Sequence, residues 1–352
     1  MLTHETGRSL AHPPPDDLVS RPTSVTLKSI LGDHFFEDDS HRLAIRRHLA
    51  AGVLPLKFAY AGSAARTHAE LARSAGYQSV IGTVDLEVAC LAVAEQRHRL
   101  PRSIAEIGPG NGVHTLALLD ALGEQSWQAG PGLQYGLGWQ CERYTALDFS
   151  STLLTMASRH IRPGLDPRTR FAAAQWDMES GSSTILATIR RGCGPLLVCL
   201  LGNTIGNVED AAGVVRDIGA ALGPDDILLL GVALESQQSP QERLAPYQSE
   251  VFRRAALEPL RWAGVEPDDV DFRLRWENGA VVGHAVFRRA TFVGDTVLPA
   301  EHAVRCFSSR RFRPEGVLRL FDPSRWRTLS AAVNEAADHL VVAVSPRGGS
   351  HP

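Results

Sequence analysis

Three glycines spaced two apart, Gly108, Gly110 and Gly112, close the run Ser-Ile-Ala-Glu-Ile-Gly-Pro-Gly-Asn-Gly at residues 103–112. Lacking Cβ, they admit positive φ and let a ligand approach the backbone closely. The apolar residues before them read as a strand, and Val113 to Leu122 is apolar at helical spacing and rich in helix formers. Strand, glycine turn and helix make a unit suited to a nucleotide or nucleoside at the carboxyl end of the strand. Asp148 has matching chemistry. It ends a second strand, residues 143–147, where a carboxylate accepts from both hydroxyls of a ribose. The same residue is equally placed to cap the helix expected from Phe149 to His160.

The spacing of the glycines narrows the ligand. A dinucleotide fingerprint, G-x-G-x-x-G, wants a small residue where this chain has Val113. The spacing G-x-G-x-G fits better the first motif of S-adenosylmethionine (SAM) methyltransferases, in which no pyrophosphate needs cradling. On the glycines alone, a plain loop or another nucleotide stays open. In a SAM fold the loop after the third strand, residues 170–174, faces the adenine. Here that loop carries Asp177, an acceptor for the exocyclic amine, and Met178, an apolar cover for the ring.

The remaining elements must hold these groups in place. A chain of 352 residues, 44% apolar, supports one elaborated domain or two ordinary ones. With 36 Lys and Arg against 39 Asp and Glu the net charge is −3, which leaves no electrostatic footprint for nucleic acid. Cys90, Cys141, Cys193, Cys199 and Cys306 show no C-x-x-C pairing and read as reduced core residues. No apolar run is long enough to span a membrane and no leader pattern opens the chain, so the expected location is the cytoplasm, with no membrane partner. Residues 1–25, with three consecutive prolines, are expected to form a mobile arm. The acids and histidines of residues 32–41 read as a solvated cluster ahead of a helix, not a metal site.

Helices are expected over residues 39–51, 64–75 and 84–96, with Tyr60 and Tyr77 flanking the second. Either tyrosine suits a pocket wall or an ordinary packing interface. Residues 195–201 are continuously apolar, as a strand buried on both faces must be. That strand runs into Gly202-Asn203-Thr204-Ile205-Gly206-Asn207, followed by a helix expected over 208–222 and a fifth buried strand at 227–232. The fold class is therefore α/β with a doubly wound sheet.

The chain resembles the SAM-dependent histidine N-alpha-methyltransferases of ergothioneine biosynthesis, whose relatives include the fungal dimethylallyltryptophan N-methyltransferases. The likeness lies in residues 55–60 (Pro-Leu-Lys-Phe-Ala-Tyr), 106–112, 144–148 and above all 201–207, where the family carries a Gly-small-Ser/Thr-Ile-Gly-Asn loop. It spans roughly residues 50 to 345. The resemblance implies a Rossmann-like class I methyltransferase sheet with a second, smaller α+β substrate domain. On that pattern residues 26–82 and 236–310 build the substrate domain, 83–235 the SAM-binding core, and 311–352 the last strands of the core and a tail. An amphipathic stretch, 241–260, and an antiparallel pair turning near Asn278-Gly279 belong to the insertion; Phe321, Trp326 and a strand at 339–344 complete the main sheet.

By the same resemblance, Tyr60, Gly108, Gly110, Asp148, Asp177 and Met178 hold the cofactor. Tyr77, Gly202, Asn207 and Tyr247 hold the amino and carboxylate groups of an amino-acid substrate. Asn207 and Tyr247 are the catalytic pair in the sense that they orient the amine, since methyl transfer to a neutral lone pair is chiefly a matter of positioning. One departure stands out. Histidine-specific members read imidazole with a Glu-x-Ser segment; here Ser309 keeps the serine while Phe307 replaces the glutamate. A phenyl ring cannot accept an imidazole N–H, so the expected substrate is a small-molecule amine or amino-acid-like compound other than histidine, with a more apolar or aromatic side chain, in secondary metabolism. Two further readings stay open: the histidine enzyme with a rewired pocket, and a SAM-fold protein that transfers no methyl group.

Overall fold

The computed structural model describes residues 39–73, 83–124, 127–128, 134–135, 138–181 and 184–348. The expected arm at residues 1–25, Tyr77 and most of the acidic segment 32–41 lie outside these. Five strands come first, β1 (Ser103–Ile107), β2 (Arg143–Asp148), β3 (Arg170–Gln175), β4 (Leu196–Leu200) and β5 (Ile227–Ala233). After them the chain forms β6 (Val270–Glu277), β7 (Ala280–Phe287), β8 (Ala303–Arg310), β9 (Trp326–Val333) and β10 (His339–Pro346). Its helices are α1 (Asp39–Ala50), α2 (Gly62–Leu71), α3 (Val84–Glu95), α4 (Val113–Gly123), α5 (Ser151–Gly164), α6 (Thr184–Cys193), α7 (Ala211–Ala221), α8 (Pro240–Leu244), α9 (Glu250–Arg261) and α10 (Pro314–Leu318). Among the described residues no helix is long and apolar enough to cross a membrane.

A seven-stranded sheet runs in the order β9-β10-β5-β4-β1-β2-β3. The first five strands are parallel, β10 is antiparallel to β5, and β9 is antiparallel to β10. Successive residues of β4 explain its unbroken apolar run. Leu196, Val198 and Leu200 join the core beneath α6 and α7, while Leu197 and Cys199 join the core beneath α3, α4 and α5. Both faces are covered, so neither set can be polar. The strand order reverses between β1 and β4, and the crevice at such a reversal is where open α/β sheets bind ligands. The glycine turn leaves β1 on one side of that crevice and the 202–207 loop leaves β4 on the other.

A three-stranded antiparallel sheet, β8-β7-β6, lies outside the parallel one. Asn278 and Gly279 turn β6 into β7 with φ of 50° and 77°, the left-handed pair that a two-residue hairpin needs. One core joins this sheet to the N-terminal segment: Ile45, Leu49, Leu54 and Phe58 pack with Leu257, Val270, Phe287 and Cys306. The backbone adds a link, since Leu54 N–H donates to Arg305 O at 2.8 Å and Arg305 N–H to Gly52 O at 2.9 Å.

Local chemistry moves three expected boundaries. The helix expected at 208 begins at Ala211, because Asp210 accepts from Gly213 N–H at 2.8 Å and residues 204–207 form a separate 3₁₀ turn. The amphipathic stretch 241–260 breaks at Pro246, and Ser249 caps α9 by accepting from Phe252 N–H. Phe321 belongs to no strand; it packs edge-on against Trp326, 5.6 Å between centroids.

Candidate active site

The turn after β1 holds Gly108, Gly110 and Gly112 all at positive φ, between 58° and 81°. At Gly112 a Cβ would lie 2.7 Å from Ile161 Cγ1, so α4 can lean on α5 only because the residue is glycine. Gly110 is different. Nothing stands within 4 Å of its missing Cβ, and that space belongs to a cavity at the sheet reversal. Beneath the turn, Glu106 is buried and accepts from Thr115 Oγ1 at 2.8 Å and Tyr144 OH at 2.6 Å; burial raises its pKa. His114, in the first turn of α4, meets Glu87 Oε2 at 2.8 Å. Burial opposes its charge, but the bond to Glu87 and the negative charges of Glu87 and Glu106 outweigh this and raise its pKa.

Asp148 lies at the end of β2 and lines the same cavity. The cap of α5 is Ser150, which accepts from Leu153 N–H at 3.1 Å. Asp148 is thereby released from capping. Its Oδ1 accepts from Ser150 N–H at 2.8 Å. Burial pushes its pKa up to about 7. Asp177 and Met178 also line the cavity, with Trp176 and Phe149 beside them. Asp177 Oδ2 accepts from Lys57 Nζ at 2.7 Å and its Oδ1 from Glu179 N–H at 3.0 Å, so the N-terminal segment reaches across to the loop after β3.

The loop after β4 starts with two left-handed residues, Gly202 at φ 63° and Asn203 at φ 59°. Asn203 is 2% exposed and braces three places at once. Its Nδ2 donates to Ser309 Oγ at 3.3 Å and Arg310 O at 3.1 Å, and its Oδ1 accepts from Ala233 N–H at 3.0 Å. Four residues on, Asn207 Nδ2 donates to Tyr60 OH at 3.2 Å. Asn207 Oδ1, at the other end of the amide, is buried with no hydrogen-bond partner among the described residues. Tyr60 in turn packs edge-on against His68, 4.5 Å between centroids, and burial lowers the His68 pKa to about 4.

The structure thus brings Tyr60, Gly108, Gly110, Asp148, Asp177, Met178, Gly202 and Asn207 to one cavity wall. Tyr247, Phe307 and Ser309, expected to hold substrate, do not line this cavity. They are 1%, 5% and 3% exposed. Phe307 packs edge-on against Phe252 at 4.7 Å and tilted against Tyr247 at 5.4 Å, so its ring fills a closed aromatic core. The Tyr247 hydroxyl accepts from Arg311 Nη2, and Ser309 Oγ accepts from Arg311 Nη1 at 3.0 Å. Sequence reasoning missed Lys57, His114, Asn203 and Arg311. Lys57 and Asn203 stand inside strings that carried the resemblance, but nothing in a linear string shows which acid or strand a side chain reaches.

The strand order and the cavity at its reversal define a Rossmann-like α/β fold with its site beside the glycine turn. The chain belongs to the family of histidine-specific, SAM-dependent methyltransferases, whose family model matches residues 86–345. It is a SAM-dependent enzyme, and the residues present fit that cofactor: bare backbone at Gly110, a carboxylate at Asp148 and an apolar ring cover at Met178. No curated protein matches the chain. Among solved structures it is similar to the glycopeptide N-methyltransferase MtfA complexed with sinefungin, at 16% identity and a TM-score of 0.38 over 76% of this chain and 88% of that one. Magnesium protoporphyrin IX methyltransferase (ChlM) from Synechocystis PCC 6803, with bound SAH, shows 10% identity and a TM-score of 0.40 over 82% and 96%. The mitomycin 7-O-methyltransferase MmcR shows 16% identity and a TM-score of 0.36 over 74% and 53%.

Proposed function

We propose that this methyltransferase acts on the amine of an amino acid or amino-acid-like small molecule other than histidine. The observation that carries the reading is the Asn207 amide. One end is held by Tyr60 and the other, Oδ1, is buried without a donor among the described residues, on a cavity wall shared with the glycine turn. A buried acceptor left unpaired costs about 1–3 kcal/mol, and an amine N–H supplies the missing donor. Accepting that hydrogen points the nitrogen lone pair away from Asn207. SAM, when bound, supplies an electrophilic methyl group. The chain's own residues position the acceptor: Asn207 and Tyr60 fix the amine, Asp148 takes the ribose hydroxyls, and Asp177 with Met178 frames the base. His68, neutral because burial holds its pKa near 4, places no positive charge beside an incoming sulfonium.

Phe307 supports a substrate other than histidine. Its position carries a ring enclosed by Tyr247 and Phe252, with no acceptor for an imidazole N–H. Five unpaired cysteines, three of them buried, suit a reducing compartment, and we place the enzyme in the cytoplasm.

The test is a pair of variants. Asn207→Ala and Tyr60→Phe should lower kcat/KM for the amine about 10- to 100-fold, the loss of one or two hydrogen bonds to a buried polar group. Calorimetric affinity of Asn207→Ala for SAM should change little. An equal loss of SAM affinity in Asn207→Ala would assign the amide to the cofactor and overturn the reading.

A further inference from the structure

One short 3₁₀ turn, Leu56–Tyr60, touches both halves of the cavity. Residues three apart in a 3₁₀ helix eclipse one another, so Lys57 and Tyr60 share a face, and both line the cavity. The residues between and before them are buried. Phe58 belongs to the core that holds Ile45, Leu49 and Phe287, and Leu56 and Ala59 to the cluster of Tyr247, Phe252 and Phe307. The turn is thus built into the body of the antiparallel sheet, while its cavity face reaches the parallel core.

That face makes two contacts on two different loops. Lys57 Nζ donates to Asp177 Oδ2 at 2.7 Å and lies 3.8 Å from Glu179 Oε2, in the loop after β3. It also stands 5.5 Å from the ring centroid of Phe149, the neighbour of Asp148. Three residues on, Tyr60 OH accepts from Asn207 Nδ2 at 3.2 Å, in the loop after β4. The Lys57 and Asp177 side chains are 23% and 26% exposed, and an ion pair so accessible is weak enough to open and close.

We infer that Lys57 is a positioning residue that makes the methyl-acceptor site depend on the cofactor: an Asp177 fixed by the bound adenine holds Lys57, Lys57 holds the turn, and the turn sets Tyr60 against Asn207. This rests on the reading above, which puts the base at Asp177 and Met178 and the amine at Asn207. A carboxylate offers about four lone-pair sites. Asp177 gives one to Lys57 and one to Glu179 N–H, which leaves room on the same group for an adenine amine. Lysine and adenine both favour one position of the loop, so each strengthens the other. The coupling is reciprocal: cofactor tightens the acceptor site, and an acceptor tightens the cofactor.

Hydrogen exchange of the full chain, read by mass spectrometry with and without S-adenosylhomocysteine, tests the coupling without needing an acceptor. In the wild type the ligand should slow exchange at residues 108–111 and 176–179, which line the cavity. It should also slow residues 57–62 about 5-fold, the low end of coupling between sites. Lys57→Met should keep the first slowing and lose the second, and Lys57→Arg should retain both. Should Lys57→Met fail to fold, Asp177→Asn at saturating ligand breaks the same pair from the other side and should likewise lose the slowing at 57–62. No slowing there in the wild type, or equal slowing in the variant, overturns the inference. With any amine found to be methylated, Lys57→Met should raise its KM about 5-fold with kcat little changed; an unchanged KM overturns the inference too. If no amine is methylated, the amine reading fails separately, and the exchange result decides the coupling by itself.

Discussion

With the proposed ribose contact, Asp148 should tie cofactor affinity to pH. Its folded pKa is raised from 3.8 to about 7 by burial, so the folded chain holds the proton where the unfolded chain has lost it. The sign follows: between those values folding stability falls as pH rises, because the unfolded state binds fewer protons. Ribose hydroxyls donate to the ionised form, so SAM affinity should rise as pH passes about 7, and Asp148→Asn should bind more weakly with that rise removed. Calorimetry across this range checks it, and a pH-dependent rise persisting in Asp148→Asn contradicts the assignment. His114, whose raised pKa reflects Glu87, titrates in both proteins and so drops out of the comparison. At this scale residue type was readable and partner was not. An acid at the end of β2 suggested ribose binding or a cap, and the Ser150 cap bears on the second alone. Phe307 was readable as a lost acceptor, but whether its ring faced a ligand depended on Tyr247 and Phe252, distant in the chain.

The loop after β4 and the turn after β1 act as rigid brackets on the crevice. Asn203 satisfies a backbone N–H of β5, the Arg310 carbonyl and Ser309 Oγ, all with its own φ at 59°. Asn203→Ala should lower unfolding free energy by about 2–4 kcal/mol in urea titration, since buried partners are left unpaired. It should also lower kcat more than SAM affinity, through Asn207; an undisturbed midpoint contradicts the bracing role. Gly112→Ala forces a left-handed alanine against Ile161 and should weaken SAM binding together with stability. Thermal melts with and without SAM would show both losses, and wild-type melts under both conditions would exclude them. Elements whose pattern is local were legible: β4 from its unbroken apolar run, the hairpin at Asn278-Gly279 from its turn residues. The start of α7 was not, because its cap, Asp210, lies beyond a 3₁₀ turn that itself looks helical in sequence.

Across the whole molecule, charges stitch the N-terminal segment and the antiparallel sheet to the parallel core at the cavity. Lys57 meets Asp177 at 2.7 Å and Glu179 at 3.8 Å; Glu179 Oε1 accepts from Glu209 N–H at 3.0 Å; and Arg305 Nη2 meets both oxygens of Glu209 at 2.7 and 2.6 Å. Each pair is partly exposed, so singly they contribute about 0–1 kcal/mol and are screened by salt. Raising ionic strength well above about 0.1 M should weaken SAM binding a few-fold, and Lys57→Met should remove much of that dependence. Salt-independent binding in the wild type contradicts the link. The parallel pairing of the first five strands was legible from the alternation of strand and helix, whereas the junction of residues 45–58 with an insertion two hundred positions on came only through resemblance. Transfer of methyl to an amine is the centre of the account, and labelled transfer tests it directly. Protein, trideuteromethyl SAM and an equal mixture of amino acids and small amines would be incubated, and the label located by fragmentation mass spectrometry. The account predicts the trideuteromethyl group on the amine nitrogen of a member other than histidine; label on oxygen or carbon, or histidine as the preferred acceptor, would contradict it.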